Sequence, residues 1–97
     1  MKIKILMVCG AGLGSSFACQ MSTEEVLKEH GIDASLDHSD ISSALAQKSH
    51  VIVTGENFRR QFEAYDIPTE TKMVYLKNIV SKEEITEKLI PVIKEIA

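Results

Sequence analysis

The chain is short of several things. It has no tryptophan, two cysteines, two prolines and five glycines, and aromatic residues make up 5% of it. Two cysteines ten residues apart, Cys9 and Cys19, exclude a disulfide-built secreted scaffold. So few glycines and prolines exclude collagen-like and low-complexity sequence. Basic charge is not in excess: 11 Lys and Arg face 14 Asp and Glu, a net charge of -3. Nothing there supplies the cationic field that a nucleic-acid backbone needs. No run approaches the roughly 20 apolar residues that span a bilayer, so membrane insertion is not expected. Met1 to Val8 offers only a short apolar run after Lys4, and no small-residue cleavage pattern follows it. The expectation is a cytoplasmic protein with reduced thiols.

What is present points to a packed core. Hydrophobic residues make up 44% of 97 residues, too many for a disordered chain. That length fits one domain, 1–97, that buries roughly 60–65% of its extended surface. Ile3 to Val8 is nearly continuous in its apolar character, as in a strand covered on both faces. A helix is expected from Ser16 to His30, with Phe17, Met21, Val26 and Leu27 as its apolar stripe and Ala18 filling in. Gly31 is placed to close it in the left-handed conformation. Ile32 to His38 reads as a second strand, and Asp40 as the cap of a short helix to about Gln47. His50 to Thr54 is a β-branched third strand ended by Gly55. Glu56 to Tyr65 is helical in pattern but imperfect in phase, and Asp66-Ile67-Pro68-Thr69 breaks it. Lys72 to Leu76 is a fourth strand. Ser81 and Glu84 form a capping box for a last helix whose face is Ile85, Leu89, Val92, Ile93 and Ile96. Pro91 should kink that helix or fray its end. Four strands alternating with four helices give an α/β domain, a parallel sheet covered on both sides.

The segment Cys9-Gly10-Ala11-Gly12-Leu13-Gly14-Ser15-Ser16 carries the chemistry. It follows the first strand and precedes a helix, at the strand end where open parallel sheets bind ligands. Closely spaced glycines let backbone N–H groups approach an anion, and a helix N-terminus favours negative charge. The same field lowers a cysteine pKa, and Ser15 and Ser16 add hydroxyl donors. A mononucleotide P-loop is excluded because no lysine lies between Lys4 and Lys28. A dinucleotide site would use Gly10, Gly12 and Gly14, but these alternate singly instead of following the one-then-two spacing. A nucleophilic thiolate in an oxyanion nest accounts for cysteine, glycines and serines together. A buried Cys9 at a strand end is the plain structural alternative. A cysteine-dependent phosphatase is the enzymatic one. Such phosphatases place an arginine after Cys and five residues, where this chain has Ser15, and no arginine precedes Arg59. No Asp-Pro dipeptide supplies their leaving-group acid.

Val8 to Ser16, followed by a methionine-containing helix, resembles the IIB component of the bacterial phosphoenolpyruvate-dependent sugar phosphotransferase system. The ascorbate type is the nearest branch, and the galactitol type the next. The resemblance covers essentially the whole chain as one IIB domain, through Tyr75-Leu76-Lys77-Asn78-Ile79-Val80-Ser81 and the last helix. It implies a three-layer αβα fold with a four-stranded parallel sheet in the order 2-1-3-4, Rossmann-like and similar to low-molecular-weight tyrosine phosphatases. It implies that Cys9 is phosphorylated by a phosphohistidine of a IIA partner and passes the group to substrate, L-ascorbate on this reading, held by a membrane IIC component. Gly10, Ala11, Gly12, Leu13, Gly14, Ser15 and Ser16 match the phosphate-binding loop. A non-catalytic anion-binding regulatory domain stays open as another use of the same nest.

The remaining candidates are weaker. Leu13 and Phe17 are the best apolar contributors to a partner contact, although Phe17 also suits a core. Cys19, inside the first helix, reads as buried filler. His38 or Asp40 could border the site, and His50 should lie at the opposite end of the sheet. The histidines form no metal set, and no metal or cofactor is expected. Arg59 and Arg60 read first as a solvated helix face.

Overall fold

The computed structural model describes residues 3–8 and 14–96, with side chains from residue 18 in the second stretch. Its strands are β1 (Ile3–Val8), β2 (Ala34–His38), β3 (Val51–Gly55) and β4 (Lys72–Leu76). Its helices are α1 (Gly14–Glu29), α2 (Ile41–Ala46), α3 (Arg59–Glu63) and α4 (Lys82–Ile96), with a 3₁₀ turn at Glu56–Phe58 leading into α3. All pairings are parallel, and the strand order is β2-β1-β3-β4. The order expected from the resemblance is the order found.

Alternation along the central strands explains the continuous apolar runs. Ile3, Ile5 and Met7 of β1 and Val51 and Val53 of β3 join one core with Val26 and Leu27 of α1 and Ile85, Leu89 and Ile93 of α4. Leu6 and Val8 of β1 and Ile52 of β3 join a second core with Ala44 of α2 and Phe62 of α3. Each central strand therefore buries both its faces, which is what a parallel sheet between two helical layers requires. The layers are unequal. α1 and α4 run 16 and 15 residues, whereas α2 and α3 run six and five.

Helix α1 begins at Gly14, two residues before the expected Ser16. Its buried face is Cys19, Thr23, Val26 and Leu27, and Met21 is 47% exposed, so the expected stripe through Met21 is corrected. A threonine takes a core position here because its hydroxyl donates to the Cys19 carbonyl at 2.9 Å, inside the helix. Met21 lies two residues from both, about 200° around the helix. The helix closes as expected on Gly31, at φ +66°. Its N–H donates to the Lys28 carbonyl at 3.1 Å, and the Ile32 N–H to that of Leu27 at 2.9 Å. This is the Schellman pattern, with Ile32 and Leu27 on the same core. Ile32 thus serves the cap, and β2 starts at Ala34.

Only half of the expected capping box forms at α4. The Glu84 N–H donates to Ser81 Oγ at 3.3 Å. The Glu84 carboxylate reaches further back, accepting from the N–H groups of Lys77 at 2.6 Å and Asn78 at 2.8 Å. It also accepts from Lys88 Nζ at 2.7 Å, and Lys88 Nζ donates to the Tyr75 carbonyl at 3.0 Å. The pair pins the chain leaving β4 to the helix that follows. Pro91 does not end α4, which continues to Ile96. Pro91 and Glu87 are both exposed, so water can take the place of the backbone bond that proline removes.

Burial pushes the Glu84 carboxyl up, but Lys88 and the two backbone N–H groups outweigh it and hold the pKa at about 2. A depressed carboxylate adds stability above its unfolded pKa and loses it as pH falls through the folded value. Glu84→Gln should therefore lower the Tm at pH 7 by about 5–10 °C, corresponding to about 1–2 kcal/mol after allowance for solvent screening. The gap should close as pH falls from about 4.5 to about 2. Thermal melts followed by circular dichroism test this, and a gap that stayed constant with pH would refute it.

Candidate functional site

The carboxyl edge of the sheet is where β1 ends at Val8 and α1 starts at Gly14. Cys9, Gly10, Ala11, Gly12 and Leu13, the core of the expected site, lie outside the described residues. Gly14, Ser15 and Ser16 form the first turn of α1, together with Phe17. The first N–H groups of an α-helix have no partner within it. The backbone donors of Gly14, Ser15 and Ser16 thus belong to a helix N-terminus that starts six residues after the last residue of β1. The proposed partner contacts Leu13 and Phe17 have no described side chains.

Beside that edge, on the α2 and α3 face, is an open cleft of about 380 Å³. Val8, Asp40, Ile41, Ser42, Phe58, Gln61 and Tyr65 line it. Asp40 was expected at the border of the site, and the cleft brings it beside Val8. As the α2 cap it accepts from the Ser43 N–H at 2.8 Å and from Ser42 Oγ at 3.2 Å. The Ser43 backbone bond, with the serine hydroxyls, holds its carboxyl below the usual range. An acceptor so engaged is an ionised wall of the cleft, not an acid poised to give up a proton.

His38 ends β2, opposite Met7 of β1. It lies at the expected end of the sheet, but its Nδ1 is 3.2 Å from Gln20 Oε1 of α1, and it does not line the cleft. His50 lies at the other end, accepting the Lys4 N–H on Nδ1 at 2.9 Å. His30 Nδ1 lies 2.9 Å from the Val26 carbonyl within the last turns of α1. Among the described residues no group of His, Cys, Asp and Glu could hold a metal ion. Nor, among the same residues, is any helix long and apolar enough to cross a membrane.

Arg59 is exposed, as read, but it is engaged. Its Nε and Nη2 donate to the two carboxylate oxygens of Glu56 at 2.8 and 3.1 Å. Its guanidinium lies 4.0 Å from the centre of the Tyr75 ring. The Arg59 hydrogen bond holds the Glu56 carboxyl down, and Glu56 in turn raises Arg59. The fork that would grip a phosphate is occupied by a carboxylate. Cys19 is fully buried, as its reading required.

One residue at this edge escaped the sequence reading. Thr54 is fully buried, pairs in register with Val8, and donates its hydroxyl to the Val8 carbonyl. The only signal was a hydroxyl closing an otherwise aliphatic run, Val51-Ile52-Val53-Thr54.

A parallel αβα domain with a helix N-terminus and a cleft at the carboxyl edge of its central strand belongs by its architecture to the class of open α/β domains that bind ligands at that edge. Within that class, the family described as "PTS system, Lactose/Cellobiose specific IIB subunit" matches residues 4–90, and the chain belongs to it. Membership makes it a phosphoryl-carrier domain of a phosphotransferase system and implies a working relationship with IIA and IIC components. No curated protein sequence gives a significant match. Solved structures that share the fold include the following three. The lactose-specific IIB component domain from Streptococcus pneumoniae has a TM-score of 0.58 at 12% identity, covering 99% of this chain and 95% of that one. A putative lipoprotein fragment from Peptoclostridium difficile 630 has a TM-score of 0.56 at 13% identity, covering 95% and 99%. The Enzyme IIB subunit of a PTS system from Escherichia coli K12 has a TM-score of 0.52 at 18% identity, covering 98% and 92%.

Proposed function

We propose that the chain is a single IIB domain, 1–97, that carries a phosphoryl group on Cys9 from a IIA phosphohistidine to L-ascorbate held by a membrane IIC component. The observation that carries this reading is the bracket at the carboxyl edge. Cys9 follows the last residue of β1, and the α1 N-terminus opens at Gly14, six residues after Val8. The Cys9 thiolate attacks phosphorus in line and the S–P bond forms as the N–P bond breaks, the electron pair going to the IIA ring nitrogen, which leaves as a neutral imidazole because the other ring nitrogen of the phosphohistidine already carries a proton. In the second transfer a substrate hydroxyl oxygen takes phosphorus, the S–P bond breaks, the thiolate is regenerated, and the hydroxyl proton goes to solvent or a IIC base. N–H groups of Gly10 to Ser16 steady the equatorial oxygens, with the α1 terminus adding its positive dipole end. Leu13 and Phe17 meet the partners. The reaction assigns no metal or cofactor and takes place on the cytoplasmic side of the membrane.

Phosphate chemistry is common to the family, and the substrate separates its branches. The protein is incubated with phosphoenolpyruvate, the general phosphoryl-donor proteins and a cognate IIA, and its intact mass is read. One added phosphoryl group is expected, discharged by IIC membranes with ascorbate. Discharge by galactitol, lactose or cellobiose and not by ascorbate would leave the carrier reading and overturn the substrate. No added phosphoryl group would favour a regulatory anion-binding domain. Turnover of p-nitrophenyl phosphate on the order of 1 per second would make it a phosphatase.

A further inference from the structure

The β3 run Val51-Ile52-Val53-Thr54 is fully buried, and its last member carries a hydroxyl where valine has the same shape and suits a strand as well. A buried hydroxyl is unfavourable unless it is bonded. This one is bonded, to the carbonyl of Val8, its register partner on β1. That carbonyl belongs to the peptide group whose nitrogen is Cys9's. The peptide group is planar, so fixing the direction of the Val8 carbonyl fixes the plane from which the Cys9 Cα departs.

We propose that Thr54 is a positioning residue: through the Val8 carbonyl it sets the orientation of the peptide that presents the Cys9 thiol. The proposal rests on the reading of Cys9 as the phosphoryl acceptor. Thr54 touches neither phosphate nor sulfur in this role. It narrows the directions available where a rigid strand hands over to the glycine-rich segment. Parallel pairing with β2 and β3 orients β1, His50 tethers its start at Lys4, and Thr54 adds a side-chain tether at the last residue before the nucleophile. In-line transfer is sensitive to placement, and an error of about 1 Å costs on the order of 100-fold in rate.

Methyl and hydroxyl contributions can be separated at this position. Thr54→Val keeps the shape and removes the donor, Thr54→Ser keeps the donor and removes the methyl, and Thr54→Ala removes both. Stability should follow the methyl group, with Val at least as stable as Ser. Phosphoryl uptake from phospho-IIA should follow the hydroxyl. Thr54→Ser should stay within about threefold of wild type, while Thr54→Val and Thr54→Ala slow by about tenfold or more. The second readout is iodoacetamide alkylation of Cys9 against pH, with Cys19 fully buried and so shielded from the reagent in the folded protein. The midpoint and limiting rate should move in the Val and Ala variants and return in Ser. All comparisons are made at a temperature where circular dichroism shows the variants folded, and Ala stands in should Val fail to fold. Wild-type uptake and alkylation in a folded hydroxyl-free variant, or slowing that followed the methyl instead, would overturn the proposal. A Cys9→Ser control that still became phosphorylated would overturn the reading of Cys9 itself, whatever the Thr54 series did.

Discussion

Cys9→Ser should take up no phosphoryl group from phospho-IIA, while the wild type gains one and Cys19→Ser gains one as well. The expected loss is complete because the acceptor atom itself changes. A serine hydroxyl has no appreciable alkoxide at neutral pH, whereas a cysteine thiol ionises from a free pKa of about 8.5, and the helix N-terminus proposed to face Cys9 would shift it further toward thiolate. No general base that could activate a serine is placed at this edge among the described residues. His38 is turned to Gln20, and Asp40 already accepts from Ser42 and Ser43. The fold should be untouched, since the exchange is one atom at the end of β1. Cys19 serves as the internal control, being fully buried on the α1 face of the core. Intact mass after incubation with phosphoenolpyruvate, the general donors and IIA reads all three proteins. Wild-type labelling of Cys9→Ser would move the acceptor elsewhere in the chain and end the thiolate mechanism.

The absence of an arginine where phosphatases carry their clamp was legible in the sequence at Ser15. The structure adds a reason why a later arginine does not substitute for it. Arg59 is the nearest candidate by position after β3, and its fork is already filled by Glu56 and its face laid over Tyr75. To hold phosphate it would have to leave a bidentate partner. A phosphocysteine held by backbone donors without such a clamp lacks the group that stabilises charge during hydrolysis. That suits a group held for delivery.

Much of the fold was written in local pattern. Continuous β-branched runs marked β1 and β3 as covered on both faces, Gly31 marked the end of α1, and Asp40 the start of α2. The bounds of β4 were read without error. Two of the failures involve side chains whose role is set by what they bond to, and two involve backbone turns that no local pattern marks. Thr23 looks polar in sequence but satisfies its hydroxyl within its own helix, so the buried face passed through Cys19 and Thr23 while Met21 stayed exposed. Gly14 and Ser15 are poor helix formers, and nothing local marked the first turn they make. The Glu56 to Tyr65 pattern was imperfect in phase because a 3₁₀ turn precedes α3 and winds more tightly, although Phe58 and Phe62 still meet in one core. Glu84 was assigned to Ser81 by spacing, but the chain leaving β4 brought two other N–H groups within its reach. At the site, position along the chain placed Cys9 after β1, and parallel pairing alone could reveal that Thr54 of β3 bonds the residue before it.

The unequal layers predict where the fold is weakest. On the α1 and α4 face many aliphatic side chains share the burial, so the loss of one is cushioned by the others. On the opposite face α2 and α3 are each shorter than two turns, too short to persist as helices on their own. They are held by what they bury, and Phe62 is the one large side chain of either helix that is fully buried. It packs with Leu6, Val8 and Ile52 of the sheet and with Ala44 of α2. Truncating such a phenylalanine costs about 3–5 kcal/mol, the lost transfer free energy plus the cavity left behind. A domain of this size has about 5–15 kcal/mol in all. Phe62→Ala should therefore lower the Tm by some 15–30 °C. Phe62→Leu, which refills most of the volume, should recover more than half of that. Hydrogen exchange should show the loss concentrated at 56–65, with the amides of α1 and α4 opening only with the whole molecule. The same segment carries Phe58, Gln61 and Tyr65, the far wall of the cleft beside Val8. At a temperature where the variant is still folded, Cys9 should keep its capacity to accept a phosphoryl group, because the other core still holds Ile3, Ile5 and Met7 of β1 with α1, and Val8 keeps its pairing with Thr54. A Tm within 5 °C of wild type, or protection lost first from α1 and α4, would show that the short helices do not depend on Phe62.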